Sequence, residues 1–221
     1  MPYISKFNVS CLENKRNIQN NWYKLYLDNK MNGIDITKTM KTGQALEGFW
    51  EKINNVFNIA KKCNLIVSDS HKIAYRVAKE IQCDKVYNFD SHTDLGYGGL
   101  ESLDFEVNCA NWLGRLLKDN IIKCANIILS PYTGENRSEF KELNMKYLVK
   151  YNTIDEIEEE SIIDTIHICR SGAWTPPWLD NEFFSFINYN GMEIKYIEFQ
   201  KRNWDIKNIT LADKIEYMIF N

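Results

Sequence analysis

The sequence predicts an α/β fold of three layers (α/β/α), in which helices cover both faces of a mostly parallel sheet. Short apolar runs alternate with amphipathic segments along most of the 221-residue chain. This alternation is typical of βα units, whose strands are buried on both faces of a parallel sheet. The length suits one domain with a large core, and no Gly-, Ser- or Pro-rich linker divides it. A single domain over residues 1–221 is therefore expected.

The predicted strands are short apolar runs separated by the predicted helices. In chain order they are Tyr3–Ser10, Asn64–Ser68, Lys85–Asp90, Ala125–Ser130, 146–150, Thr165–Arg170 and 193–199. Right-handed crossovers should connect them. Ligands gather at the carboxyl ends of the strands in such sheets, so polar residues at those ends are candidates for a functional site.

The predicted helices carry apolar residues three or four positions apart. In residues 44–62 these positions are Leu46, Phe49, Trp50, Ile53, Val56, Phe57 and Ala60, and in 72–82 they are Ile73, Val77 and Ile81. The further predicted helices are 108–119, 136–143, 179–188 and the C-terminal part from residue 209.

Composition narrows the class of protein. The formal net charge is −3 and no basic stripe stands out, so a nucleic-acid partner is not expected. No window holds the ~20 apolar residues of a membrane span, and the N-terminus lacks the apolar core of a signal peptide. Six cysteines occur without a C-x-x-C pair, which indicates a reducing, cytoplasmic setting. The oligomeric state stays open.

The most informative segment is the end of the predicted strand Lys85–Asp90. Asp90, His92 and Asp94 occupy alternate positions there, and alternate residues of extended chain point the same way. Two carboxylates and an imidazole suit manganese, iron or zinc rather than calcium. The pattern predicts a metal site, the alternative being a turn with a polar side.

His71 follows another predicted strand, one βα unit earlier. Adjacent parallel strands lie roughly 5 Å apart, so His71 could complete a site begun by the Asp90–Asp94 segment. Alternatively, His71 or Asp69 caps the helix that follows.

A third segment follows the predicted strand Thr165–Arg170. His167, Cys169 and Ser171 alternate along it; we expect His167 to pack inside and Cys169 to be a buried thiol rather than a soft ligand. Asp180 opens the next helix, and it is either a metal ligand or substrate contact, or a carboxylate favoured by the helix dipole.

Three further side chains are candidates for binding substrate. Trp174 and Trp178 offer flat walls that could stack on a cationic group, or they could pack in the core or a loop. Asn111 could hydrogen-bond substrate, with Asn108 as the N-cap of the helix.

The Asp90–Asp94 segment resembles the Asp-x-His-x-Asp signature of arginases and agmatinases, in the arginase/deacetylase superfamily, and His71 resembles the upstream histidine ligand of that family. The stretch 174–180 looks closest to the divergent peptide arginases, which convert arginine to ornithine within a peptide. The resemblance implies an arginase-like fold and manganese, as two ions or one. It also implies a hydrolase that acts on arginine in a peptide and releases urea. The implied metal ligands are His71, Asp90, His92, Asp94 and Asp180, and Asp94 would also pass a proton to the departing amine.

The chain departs from the family pattern in two places. The second Asp-x-Asp of ureohydrolases is replaced by Cys169 and Ser171, and no histidine stands in 111–114. Two alternatives therefore stay open: a related amidohydrolase or deacetylase with one metal, and a peptide-binding module without catalysis.

Overall fold

The computed structural model describes residues 15–43, 47–157, 161–189 and 191–219, and it shows an α/β protein. The strands are β1 (Asn58–Ser68), β2 (Lys85–Asp90), β3 (Cys124–Leu129), β4 (Val149–Tyr151), β5 (Ile162–Cys169) and β6 (Ile194–Tyr196). The helices are α1 (Lys15–Met31), α2 (Ile36–Thr39), α3 (Phe49–Val56), α4 (Lys72–Glu80), α5 (Trp112–Lys118), α6 (Lys141–Lys146), α7 (Asp180–Ile187) and α8 (Leu211–Ile219). Short 3-10 helices span Gly99–Asp104, Arg137–Phe140, Ile154–Glu156 and Pro177–Leu179.

The strands form two three-stranded parallel sheets, with orders β5-β1-β6 and β2-β3-β4. Parallel strands flanked by helices confirm the predicted α/β class, and the arrangement is consistent with three layers. The expectation that the strands before His71 and before Asp90 are neighbours in one sheet is wrong, because β1 and β2 belong to different sheets. The strand beside β1 at its carboxyl end is β5, and Ser68 pairs there with Cys169.

Aromatic packing joins the two sheets. Phe57, just before β1, packs edge-on against Tyr87 of β2 with ring centroids 4.8 Å apart. The Tyr87 hydroxyl also lies 3.0 Å from Ser161 Oγ, at the start of β5. These contacts hold β2 against the amino ends of β1 and β5.

Helix α5 packs closely on the loop that follows β2. Leu113 and Leu116 are fully buried with Leu95. A Cβ on Gly114 would lie 2.1 Å from the Leu95 carbonyl oxygen. Only glycine allows this approach, and Gly114 therefore sets the position of the residues just after Asp94.

The predicted helix 44–62 is shorter in the structure, where it spans Phe49–Val56. The predicted helix 44–62 ends at Val56, and Asn58 already pairs with Ile162 in the sheet, because apolar spacing in Phe57–Ala60 suits a strand as well as a helix. Residues 44–46 and the predicted strand Tyr3–Ser10 lie outside the described residues.

Helix α1 was not predicted. It is polar overall, yet one side buries Trp22, Tyr23, Tyr26 and Leu27. Across the described ranges, no helix combines the length and apolar character needed to cross a bilayer.

Candidate metal centre

Three of the predicted ligands converge where β1 and β2 end. His71 stands at the N-cap of α4, three residues after β1, and its Nδ1 lies 2.9 Å from Asp94 Oδ2 and 3.1 Å from Asp90 Oδ2. The donor atoms of His71, Asp90 and Asp94 all lie within 4.8 Å of one another. We call these three residues the His–Asp–Asp group. The described residues contain no other such group of histidine, cysteine and acidic side chains.

One buried oxygen in the His–Asp–Asp group has no hydrogen-bond donor. Asp90 Oδ2 is buried, and none of the described residues donates to it. His71 Nδ1 is close, but a single ring proton cannot serve both carboxylates, and the hydrogen-bond geometry directs it to Asp94. A buried carboxylate oxygen without a donor is costly, whereas a cation would satisfy it. One imidazole and two carboxylates are donors that manganese, iron and zinc accept, so the group fits such an ion.

His92 lies beside the His–Asp–Asp group but is not part of it. Its Nδ1 is 3.6 Å from Asp90 Oδ1, so Asp90 faces His71 with one oxygen and His92 with the other. The His92 ring packs against Trp174, with centroids 4.8 Å apart and planes tilted by 44°. Trp174 is 38% exposed, so this pair lies at the solvent edge of the centre.

Nearby charges and burial shift the pKa of every titratable group of the centre. Burial alone would raise the pKa of Asp90, but the adjacent imidazoles of His71 and His92 hold it well below its usual range. Burial raises the pKa of Asp94, and its contacts with His71 offset this only in part.

The pKa values of both histidines are raised. Burial would lower the pKa of His71, but Cys169, Asp90 and Asp94 together raise it well above its ordinary value. The nearby Asp90 carboxylate raises the pKa of His92 and outweighs its partial burial. Without an ion, the two carboxylates therefore favour positive charge on both imidazoles.

Trp112 is a part of the centre that sequence reasoning missed. Its indole Nε1 donates to Asp94 Oδ2 at 2.6 Å. The backbone N–H groups of Leu113 and Gly114 donate to the Asp94 carbonyl oxygen at 3.1 and 3.3 Å. Asp94 itself has a φ of +51°, in the left-handed region. The start of α5 thus fixes both the backbone and the carboxylate of Asp94, and no short-range pattern in the sequence indicates this.

Glu135 was missed for a similar reason. It lies in the loop after β3, where Oε2 accepts from the Thr93 N–H at 2.8 Å and Oε1 accepts from the Tyr97 hydroxyl at 2.5 Å. Thr93 separates His92 from Asp94, so Glu135 holds the segment that carries both residues. The two partners lie 42 residues apart in the chain, beyond the reach of any motif.

Asp180 is not brought to the centre. Its carboxylate pairs with Arg202, and Oδ2 also accepts from Arg170 Nη1 at 3.1 Å. Arg170 is completely buried and pairs with Asp69 through Nε at 2.9 Å. The structure thus gives Asp180 two arginine partners in place of the expected metal.

Two predicted substrate contacts are occupied elsewhere. Asn111 is buried, with its Oδ1 accepting from the Asn108 N–H at 2.9 Å and its Nδ2 donating to the Ser102 carbonyl at 3.1 Å. Helix α5 begins at Trp112 with Asn111 in the N-cap position, so the expectation that Asn108 caps it is wrong. Trp178 donates from Nε1 to the Met40 carbonyl at 3.2 Å and packs edge-on against Trp22.

The end of β5 lies beside the end of β1, where Cys169 pairs with Ser68. Burial raises the pKa of the Cys169 thiol. His167 lies on the same strand with Nε2 2.8 Å from Ser68 Oγ, and burial lowers the pKa of His167 to about 3. The expected inward packing of His167 agrees with this position.

Comparisons with known proteins leave the family open. No protein-family model matches the sequence, and neither a curated protein nor a solved structure matches the chain.

Proposed function

We propose that this protein is a metal-dependent hydrolase with an arginase/deacetylase-like fold that cleaves the guanidinium group of an arginine within a peptide. The products would be urea and an ornithine side chain. The observation that carries the proposal is the buried Asp90 Oδ2, which lacks a donor inside the His–Asp–Asp group. A cytoplasmic setting belongs to the same proposal, and the free thiols of Cys63, Cys83 and Cys169 agree with it.

His71, Asp90 and Asp94 would hold the ion, and manganese is the ion that the resemblance implies. A bound divalent ion supplies an activated water at neutral pH. His92 would add a donor on the far side of Asp90, where a second ion would need further ligands. The described residues provide one group of three donors, so we propose one firmly held ion.

The chain's own residues suit a cationic substrate. Arginine stays charged in water, and Asp90 and Asp94 carry the negative charge that would attract it. The exposed face of Trp174, beside His92, offers a surface for the guanidinium or its aliphatic stem. Asp94, whose pKa is raised by burial, would pass a proton to the amine that leaves.

A second candidate is an amidohydrolase or deacetylase that uses one ion. The single group of three donors among the described residues favours it. Peptides with acetylated lysine, offered beside peptides with arginine, distinguish the two reactions by their products.

The test is to load purified protein with manganese or zinc and to measure bound metal, urea and the mass of a varied set of arginine peptides. We expect metal binding and urea release in the wild type. Asp90→Asn keeps the shape of the side chain but removes its charge, and it should lose both. Asp104→Asn, at an exposed aspartate, is the matched control and should keep both. Full metal occupancy in Asp90→Asn would contradict the proposed centre, and unchanged arginine peptides would contradict the proposed reaction.

A further inference from the structure

A cavity of about 100 Å³ adjoins the metal centre at His71. Distant parts of the chain line it: α1 contributes Trp22, the loop after β1 contributes Asp69–Lys72, and the segment after β6 contributes Glu198 and Gln200–Arg202. A space of this size takes a small side-chain group rather than a folded segment. Because His71 belongs both to the lining and to the His–Asp–Asp group, a group bound in the cavity lies next to that centre.

The acidic side chains of the cavity already have partners. Asp69 pairs with Arg170 through Nε at 2.9 Å and accepts from the Gln200 N–H at 2.8 Å. Glu198 pairs with Arg76 at 3.5 Å. The negative charge of the lining is therefore already neutralised by cations and donors of the fold.

Two cations of the cavity are not used in this way. Arg202 is committed to Asp180 and to two backbone carbonyl oxygens. Within the described ranges, by contrast, the ammonium groups of Lys72 and Lys201 form no ion pair or hydrogen bond. Lysine stays charged at neutral pH, so the cavity presents positive charge that the fold does not neutralise.

We propose that this cavity binds a carboxylate of the substrate, supplied by an acidic residue beside the arginine or by the C-terminus of the peptide. The inference rests on the proposed function and names a feature of its substrate. Lys72 directly follows His71 in the chain, so a carboxylate held by Lys72 and Lys201 lies close to the metal centre. Trp22 and Pro177 are buried and supply an apolar wall for the aliphatic part of that group.

Three peptides, each with one arginine, test the inference. The first has aspartate beside the arginine and an amidated C-terminus, and the second has asparagine in place of the aspartate. The third has asparagine and a C-terminal arginine with a free carboxylate. Calorimetry in chelator gives their affinities without turnover, and urea release with manganese gives their KM.

We expect the first or the third peptide to bind about tenfold more tightly than the second, since two partly exposed ion pairs contribute about threefold each. The tighter of the two identifies the source of the carboxylate. The preference should fall as salt is raised, because salt screens exposed charges.

Variants of the two lysines separate charge recognition from a structural role. Lys72→Gln and Lys201→Gln should each reduce the preference by about threefold, and the double variant should abolish it. Affinity for the second peptide should stay unchanged in all of them. Lys79→Gln is the matched control, because Lys79 lies in the last turn of α4, outside the cavity, and this variant should keep the preference.

Equal binding of the three peptides, no binding of any of them, or a preference that survives in the double variant would overturn the role of the cavity. Urea release from all three peptides at the same KM would also overturn it and would leave the proposed reaction standing. A carboxylate preference without urea release would support the cavity as a carboxylate site and overturn the reaction.

Discussion

At the scale of single residues, the centre depends on one buried carboxylate that is held from several sides. The Asp94 carboxylate accepts a hydrogen bond from the Trp112 indole and lies beside His71 Nδ1. The Asp94 carbonyl oxygen accepts hydrogen bonds from backbone N–H groups at the start of α5. Outer partners of this kind orient a metal ligand and tune its affinity. Trp112 should therefore matter for metal binding although it is not a ligand.

Trp112→Phe removes this donor while keeping most of the ring. We expect a loss of about 1–3 kcal/mol in the free energy of unfolding, because a buried carboxylate loses a hydrogen bond. Metal affinity should fall by about tenfold or more. Trp50→Phe is the control, since Trp50 is also buried and donates to the Phe186 carbonyl at 2.8 Å, away from the centre. Denaturant unfolding and metal titration of both variants check this. Equal metal affinity in the two variants would show that Trp112 acts only through stability.

His167 gives a pH dependence at the same scale. Burial lowers its pKa from 6.5 to about 3, so the folded protein resists a proton that the unfolded chain accepts. The stability contributed by neutral His167 is present above pH 6.5 and is lost as the pH falls from 6.5 towards 3. This loss is at most about 1.4 kcal/mol per pH unit.

We expect His167→Gln to flatten this part of the stability profile. The difference between wild-type and variant free energies of unfolding should shrink as the pH falls, when both are measured in chelator. His71 and His92 are present in both proteins, so their opposite shifts cancel in the comparison. A difference that stays constant from pH 7 to 4 would mean that His167 keeps an ordinary pKa.

At the scale of elements, α5 serves as the support for the loop after β2. Gly114 allows the helix to touch the Leu95 carbonyl, and the Leu113 N–H reaches the Asp94 carbonyl. The position of the helix and the conformation of Asp94 are therefore linked.

Gly114→Ala should push α5 away from the loop that carries Asp94. The new Cβ would lie 2.1 Å from a backbone atom, which cannot yield as a flexible side chain does. We expect a destabilisation of about 1–3 kcal/mol and weaker metal binding. Gly134→Ala is the control, since its Cβ would meet nothing within 4 Å and it has no positive φ. Thermal unfolding and metal titration decide the outcome, and metal affinity as in the wild type would break the proposed link.

Sequence patterns succeed here where the signal is local. The strand Lys85–Asp90 is predicted to the residue, because it is a short apolar run with a polar end. Asp90, Asp94 and His71 come together as predicted, although β1 and β2 lie in different sheets and His92 stays beside the group. Trp112, Glu135 and the arginine partners of Asp180 depend on contacts between distant elements, which no window of sequence contains. Helix α1 was not predicted for another reason. It is polar, and its few buried aromatic residues give a weak periodic pattern.

At the scale of the whole molecule, the centre draws on both sheets. His71 follows β1 of one sheet. Asp90 is the last residue of β2 in the other sheet, and Asp94 follows it. An ion that needs all three residues would bind only the folded state, since these residues are far apart in the unfolded chain. Its binding energy should therefore add to the stability of the fold.

Metal removal should lower the melting temperature. At an ion concentration near 100 times Kd the gain amounts to about 2.7 kcal/mol. We expect a clear rise in Tm when zinc or manganese is returned to chelator-treated wild type, and little or no rise in Asp90→Asn. Calorimetry at several ion concentrations checks this, and an equal rise in both proteins would place the ion elsewhere.

The joint between the sheets has a mechanical consequence. The Tyr87–Ser161 contact lies towards the amino ends of the strands, whereas the His–Asp–Asp group lies at their carboxyl ends. A bound ion would therefore connect the two sheets at the carboxyl ends of the strands, opposite the Tyr87–Ser161 contact. When the ion is removed, the residues just after β2 should be the first to exchange their amide protons, well before the residues around that contact.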